Sequence, residues 1–330
     1  WRDKGIMPRG IYREVVETMH RTTMGVDADY KNIIKHSMRT ALSDGWGGSM
    51  LATELQDIIF GVPTPLKSSA NLGVLKEDEV NILVHGHEPT LSDIIADLST
   101  SDEINKLAEA KGAKGVNVAG ICCTANEILM RRGVPLAGSF LQQELAIVTG
   151  VADLMIVDVQ CIMPSLKKVT EGYHTELITT SHHAKMDGVK HVAFHPEEAV
   201  KTAKEIITIA IDNYPNRNKE QIDKPDDQER LVAGFTADSI SKFLGGKYRS
   251  TYRPLNDAII SGRIRGAAGV VGCSNPNSDY EKNHILMVKE LLKNDVIVVT
   301  TGCNAITCAK HGLLQPEAAF KYAGEGLQEI

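Results

Sequence analysis

No apolar run in this sequence reaches the roughly 18 residues needed to cross a bilayer. There is no Lys/Arg run either, and a formal charge of -6 argues against a nucleic-acid surface. Several signatures of chemistry are missing: no GxGxxG, no phosphate loop, no HExxH and no GxSxG. A nicotinamide dehydrogenase therefore has no support. Cysteine is scarce, with six in 330 residues, too sparse for a disulfide-stapled secreted scaffold. Reduced thiols are the default, and small buried hydrophobes are their commonest role. The chain opens "WRDKGIMPRG", without an initiator Met or a signal-like apolar core, and stops at "GEGLQEI" just as another element begins. It reads as a fragment of a longer cytoplasmic protein.

What is present is an ordinary globular composition, 42% hydrophobic and 24% charged, with length for two or three domains. Residues 1–76 read as helical: Ile11, Val15 and Met19, then Ile34, Met38 and Leu42, then Leu51, Leu55, Ile58 and Ile59 fall at helical spacing. Gly45, Gly47 and Gly48 break that run and "GVPTP" ends it. From residue 77 short Val/Ile-rich runs alternate with amphipathic stretches. Strands are predicted at "VNILV" (80–84), "GVNVAGI" (115–121), "DLMIVDV" (153–159), "TELITT" (175–180), "KHVAF" (190–194), "GAAGVV" (266–271) and "DVIVVTT" (295–301). Helices lie between several of them, one with Thr90 as its N-cap and one with Pro196 near its first turn. The polar stretch 213–230 marks a domain boundary. The fold class is α/β: a helical segment (1–76), a Rossmann-like parallel-sheet domain (77–225) and a second, incomplete one (226–330).

In open parallel sheets, ligands bind beyond the carboxyl ends of the strands. Those positions are unusual here. "VNILV" runs into His85-Gly86-His87, "GVNVAGI" into Cys122-Cys123, "DLMIVDVQ" into Cys161, "GAAGVVG" into Cys273 and "DVIVVTTG" into Cys303. Structural cysteines would be scattered through cores, not gathered at one end of strand after strand. Cys308 falls outside the pattern, within a helix. Adjacent residues of an extended segment point to opposite sides, so one of Cys122 and Cys123 faces the crevice. Thiolates with an imidazole suit iron–sulfur chemistry, zinc or nickel, and not calcium or magnesium. Donors spread over more than 200 residues are too many and too distant for one zinc knuckle, so a multinuclear cluster fits better. His174, His182, His183 and His191 read as a polar, solvated stretch, and the glycine pairs in "GWGGS" and "FLGGK" as turns or helix ends.

At these residues the chain resembles the catalytic subunit of anaerobic, nickel-dependent carbon monoxide dehydrogenase. The resemblance rests on "NLGVLKEDEVNILVHGHEPTLSD", "GVNVAGICCTANEILMRRG", "DLMIVDVQCIMPSL", "YHTELITTS", "AAGVVGCSNP" and "DVIVVTTGCNA", in that order along nearly the whole chain. Hybrid-cluster proteins share the architecture but lack the "HGHEP", "GICC", "QCIMP" series. The resemblance implies that His87, Cys123, Cys161, Cys273 and Cys303 hold a nickel–iron–sulfur cluster of Ni-4Fe-4S type, preferring Cys123 to Cys122 and His87 to His85. It implies oxidation of CO with water to CO2, two protons and two electrons, and a ferredoxin-like electron acceptor. The parent is expected to be a homodimer, with 4Fe-4S relay clusters bound outside this chain. A further cysteine ligand and the acid–base Lys and His are expected outside it too, so the chain alone is expected to be inactive. Two other readings compete: a metal-free α/β module that binds a small ligand and merely packs its cysteines, and a hybrid-cluster-type iron–sulfur oxidoreductase.

Overall fold

A computed structural model describes residues 1–246 and 249–330. The chain divides into two compact units, Trp1–Val62 and Pro63–Ile330.

The first unit is helical, with α-helices Ile11–Arg21, Tyr30–Asp44 and Leu51–Phe60. The glycines expected to break this run do not: Gly45–Met50 continues it as a π-helical turn. Gly47 lies against Ile11, whose Cδ1 would have to move to admit a Cβ there. Inside the unit Glu14 is fully buried and answered by Arg9 and Arg39, whose guanidinium groups reach its carboxylate at 2.9 and 3.2 Å. Hydrogen bonds from Arg9 hold the Glu14 carboxyl down at about 2, and a buried acid with such partners is stable ionised.

The second unit is built on an eight-stranded sheet. Its strands are β1 (Leu66–Ala70), β2 (Val80–His85), β3 (Val116–Ile121), β4 (Leu136–Gly138), β5 (Ala152–Val157), β6 (Glu176–Thr179), β7 (Lys190–His191) and β8 (Glu229–Ala233), in the spatial order β7-β6-β5-β2-β3-β4-β1-β8. Every neighbouring pair is parallel except β1 with β8. All six residues of β2 are buried, which is why its sequence is mostly apolar, Asn81 and His85 apart, and does not alternate. Val80, Ile82 and Val84 pack on one face with Ile95, Ile206 and Ile207 of flanking helices. Leu83 packs on the other with Met155, Ile147 and Leu166. A separate parallel pair, β9 (Gly266–Val271) and β10 (Val296–Thr301), comes later in the chain.

Several expectations need correcting. The stretch read as wholly helical to residue 76 contains β1, whose "LKSSA" sequence is too polar to announce a strand. β4 and β8 are absent from the strands predicted by pattern. β4 is only three residues long, and β8 carries Glu229 and Arg230, tolerable because it forms an edge of the sheet. Of "KHVAF" only Lys190 and His191 pair. Glu88, not Thr90, caps the helix Pro89–Leu98, accepting from the Thr90 N–H. The polar stretch 213–230 leads straight into β8, so the chain after residue 226 first returns to the eight-stranded sheet. Of the "FLGGK" pair, Gly245 ends a helix and Gly246 takes φ +75; Lys247 lies outside the described residues.

Candidate metal centre

The register of the central strands creates the site. His85 pairs with Ile121 on one side and Val157 on the other, so β2, β3 and β5 end level. Their continuations, Gly86-His87, Cys122-Cys123 and the run Asp158 to Cys161, therefore issue from one edge. It is also where the connections diverge, running from β2 to β3 and β4 on one side and to β5, β6 and β7 on the other. That switch point is where open α/β sheets leave a crevice. β9 and β10 likewise end level, with Val271 opposite Thr301. Cys273 and Cys303 lie just past those ends.

The two histidines at the end of β2 play different parts. His85 is fully buried, with Nε2 3.0 Å from Gln143 Oε1 and no partner for Nδ1 among the described residues. Burial depresses its pKa to about 4, so it stays neutral. The same Gln143 oxygen also accepts the Met163 N–H, and its amide donates to the Cys161 carbonyl at 2.9 Å. His85 thus supports the Cys161 loop from below. His87 lies above, its Nδ1 3.2 Å from the Val159 carbonyl and its Nε2 3.9 Å from Cys161 Sγ.

The thiols gather around the same point. Cys122 interacts with Cys161 and Cys303, and Cys273 interacts with the same two, which closes a ring. Hydrogen bonds with Cys161 and Cys303, together with burial, push the Cys122 thiol far up. Burial takes Cys123 up to about 12, with Cys273 and Cys161 adding to the effect. In Cys303, up at about 12, a hydrogen bond with Cys122 that favours the thiolate is outweighed by Cys273 and burial. Cys273, the exposed member, is held well below the usual thiol range by Cys161 and Cys303. Thiols this crowded resist ionising together, and a bound metal's positive charge reverses that balance. A soft donor set with an imidazole nitrogen facing Cys161 Sγ fits a thiolate-bound metal group.

Both members of the adjacent pair are therefore at the site. Cys122 is fully buried and packs in the apolar cluster with Leu83, Ile121 and Cys303. Cys123 is half-buried, 3.9 Å from where a Cβ on Gly302 would stand, and Gly302 itself takes φ +66. Two of the turns are strained: Cys122 at φ +63, and Gln160 and Cys161 at φ +64 and +58, adopt backbone that side chains rarely tolerate. Asparagines tie the segments together, Asn126 donating to the Gly302 carbonyl at 3.0 Å and Asn304 to the Val270 carbonyl at 2.7 Å. Sequence reasoning missed both, and it missed Asp158. The "CCTAN" and "GCN" strings carry the asparagines, but nothing in them says which carbonyl each will meet.

Other candidates do not join the site. Cys308 is buried among Val270, Val288 and Leu313. The four histidines 174, 182, 183 and 191 do not converge. His174 is not solvated as its polar stretch suggested; it is buried 2.9 Å from Asp153, beside Arg217. His191 bonds Thr179, and His182 stacks on His183 at the surface. Glu14, Glu17 and His36 lie close enough to hold a cation, but Arg9, Arg21 and Arg39 already neutralise them.

The architecture and donor set together define an α/β protein built around a thiolate and imidazole centre. The model of the Prismane/CO dehydrogenase family matches residues 1–330, and the chain belongs to that family. It is 55% identical over 330 residues to carbon monoxide dehydrogenase 1 of Methanosarcina acetivorans, covering all of this chain and 52% of that protein. With carbon monoxide dehydrogenase 1 of Carboxydothermus hydrogenoformans it shares 46% identity over 328 residues, covering 99% of this chain and 51% of that protein. Among solved structures, Ni-free carbon monoxide dehydrogenase from Thermococcus sp. AM4 superposes with a TM-score of 0.83 at 52% identity, covering 100% of this chain and 51% of that one. An acetyl-CoA synthase/carbon monoxide dehydrogenase described with NiZn[Fe4S4] and NiNi[Fe4S4] clusters in its alpha subunits matches at TM-score 0.82 and 42% identity, over 99% of this chain and 49% of that one. The chain thus spans about half the length of the relatives it matches.

Proposed function

We propose that this chain forms the core of a cytoplasmic carbon monoxide dehydrogenase, in which His87, Cys123, Cys161, Cys273 and Cys303 hold a nickel–iron–sulfur cluster. The observation that carries this reading is the meeting of one imidazole and the site thiols at the level ends of strands from both sheets. Such a cluster, when bound, supplies a soft metal site for CO and a Lewis acid for water, so that CO leaves as CO2 with two protons and two electrons. The protein's part is positional. The level strand ends bring the donors together, and the fully buried floor of His85, Cys122 and Cys303 keeps bulk water from beneath the site. Cys123 is preferred to Cys122 because it is the less buried of the pair and lies toward Cys273 and Gly302.

The parent protein, in this reading, is a homodimer that passes electrons through 4Fe-4S relay clusters to a ferredoxin-like acceptor. The chain beyond β8 starts a second α/β domain, with β9 and β10 its first strands. Iron, nickel and sulfide analysis of the anaerobically purified full-length protein tests the reading. Nickel together with several irons and sulfides per chain supports it. Protein free of all three would return the chain to a metal-free binding module, and iron and sulfide without any nickel requirement would favour a hybrid-cluster-type enzyme.

A further inference from the structure

We propose that Asp158 is the positioning residue of the centre, fixing both the backbone and the tautomer of His87. The inference rests on His87 being a ligand, as proposed above. Asp158 is the first residue after β5 and is only 5% exposed. Its Oδ1 accepts the His87 N–H at 2.6 Å and also the N–H of Val159. Its Oδ2 accepts the Thr124 hydroxyl at 2.9 Å. One carboxylate therefore grips the loop after β2, the loop after β5 that leads to Cys161, and the first turn of the helix that opens with Cys122-Cys123. Backbone bonds reinforce the knot, since the Asp158 N–H donates to the His85 carbonyl at 3.1 Å and the Thr124 N–H to the Gly86 carbonyl at 2.8 Å.

The consequence for the imidazole comes from donor and acceptor chemistry. A carbonyl oxygen only accepts, so the contact of His87 Nδ1 with the Val159 carbonyl requires the proton on Nδ1. The Nε2 lone pair then faces Cys161 Sγ at 3.9 Å and accepts from its thiol. The peptide that supplies that carbonyl is next to the one whose N–H Asp158 holds, and the His87 N–H is held by the same oxygen. Asp158 thus fixes both ends of the contact that selects the metal-binding nitrogen. The fit also dictates Gly86. It takes φ +136, and a Cβ there would lie 1.8 Å from Asp158 Oδ1. The glycine of "HGH" is the space the carboxylate occupies.

The test uses the full-length protein loaded anaerobically with iron, sulfide and nickel, reading metal content and the electron paramagnetic resonance spectrum of the cluster. The variants are Asp158→Ala, Asp158→Asn and His87→Ala. Asp158→Ala is expected to weaken metal retention by about 10-fold or more, with its spectrum displaced toward that of His87→Ala. Asp158→Asn should restore both, because its oxygen still accepts from the two N–H groups while its amide donates to Thr124 Oγ. Wild-type metal content and spectrum in Asp158→Ala overturns the proposal, as does an Asp158→Asn protein as depleted as Asp158→Ala. In both cases depletion of His87→Ala leaves the cluster reading standing. Wild-type metal and spectrum in His87→Ala removes the ligand and the proposal with it. If Asp158→Ala does not fold, Thr124→Val, which deletes one donor to the carboxylate, takes its place: a displaced spectrum supports the proposal and an unchanged one overturns it.

Discussion

The two sheets that meet at the centre deliver the same kind of residue in different settings. β2 and β5 are buried along their whole length, and the donors just beyond them rest on a packed floor. β9 and β10 have the same Val-rich texture, yet of their residues only Val270 is buried, and Cys273 beyond β9 is exposed. The strands of the first sheet are embedded and those of the second are presented, although Cys303 beyond β10 is itself buried. An apolar run followed by a cysteine states the direction of a strand and the place of a donor. It does not state how deeply either is covered, because cover comes from elements far away in the chain.

The sharpest way to break the comparison is at the thiols. In the full-length protein, Cys161→Ala is expected to abolish nickel-dependent CO oxidation, measured as viologen reduction, while Cys308→Ala stays within a few-fold of wild type. A methyl group cannot replace a thiolate ligand, whereas the Cys308 thiol only packs against Val270, Val288 and Leu313. Equal damage from both would place Cys308 in the chemistry.

A smaller effect separates the sheets energetically. Ile82→Ala in β2 should destabilise by about 2–5 kcal/mol in urea unfolding, because it empties a fully buried position. Val299→Ala in β10, where the side chain is 59% exposed, should cost about 0.5 kcal/mol or less. Comparable losses would mean that β10 is covered in solution.

The smallest effect is one of order. In the reduced, metal-free protein, Cys273 should be the first thiol alkylated, being both exposed and low in pKa, and Cys303 should react only slowly after it. Peptide mapping after brief iodoacetamide treatment reads this directly. Earlier labelling of Cys303 would show that its burial against the apolar cluster of the first sheet is not kept in solution.

Much of this protein was legible in the order of its residues. Continuous runs such as "VNILV" specify parallel strands buried on both faces, since only that setting removes every side chain from water. The thiols and imidazoles placed just beyond such runs then fall at carboxyl ends, because every strand of a parallel sheet ends on the same side. That much needs no tertiary information. β1, β4 and β8 were illegible because short or polar strands hold by pairing with neighbours, and the partners of β1 lie far along the chain, at Leu136 and residues 229–233. The division of labour between His85 and His87, with both Cys122 and Cys123 at the site, was decided only when distant groups closed around them. Asp158 is the clearest case: a lone aspartate after a strand reads as a turn residue, and its meaning comes from a His87 amide 71 residues away. Hydrophobic burial has a period that a sequence records, whereas a buried hydrogen bond depends on one atom meeting another within a few tenths of an ångström, and only the folded chain sets that distance.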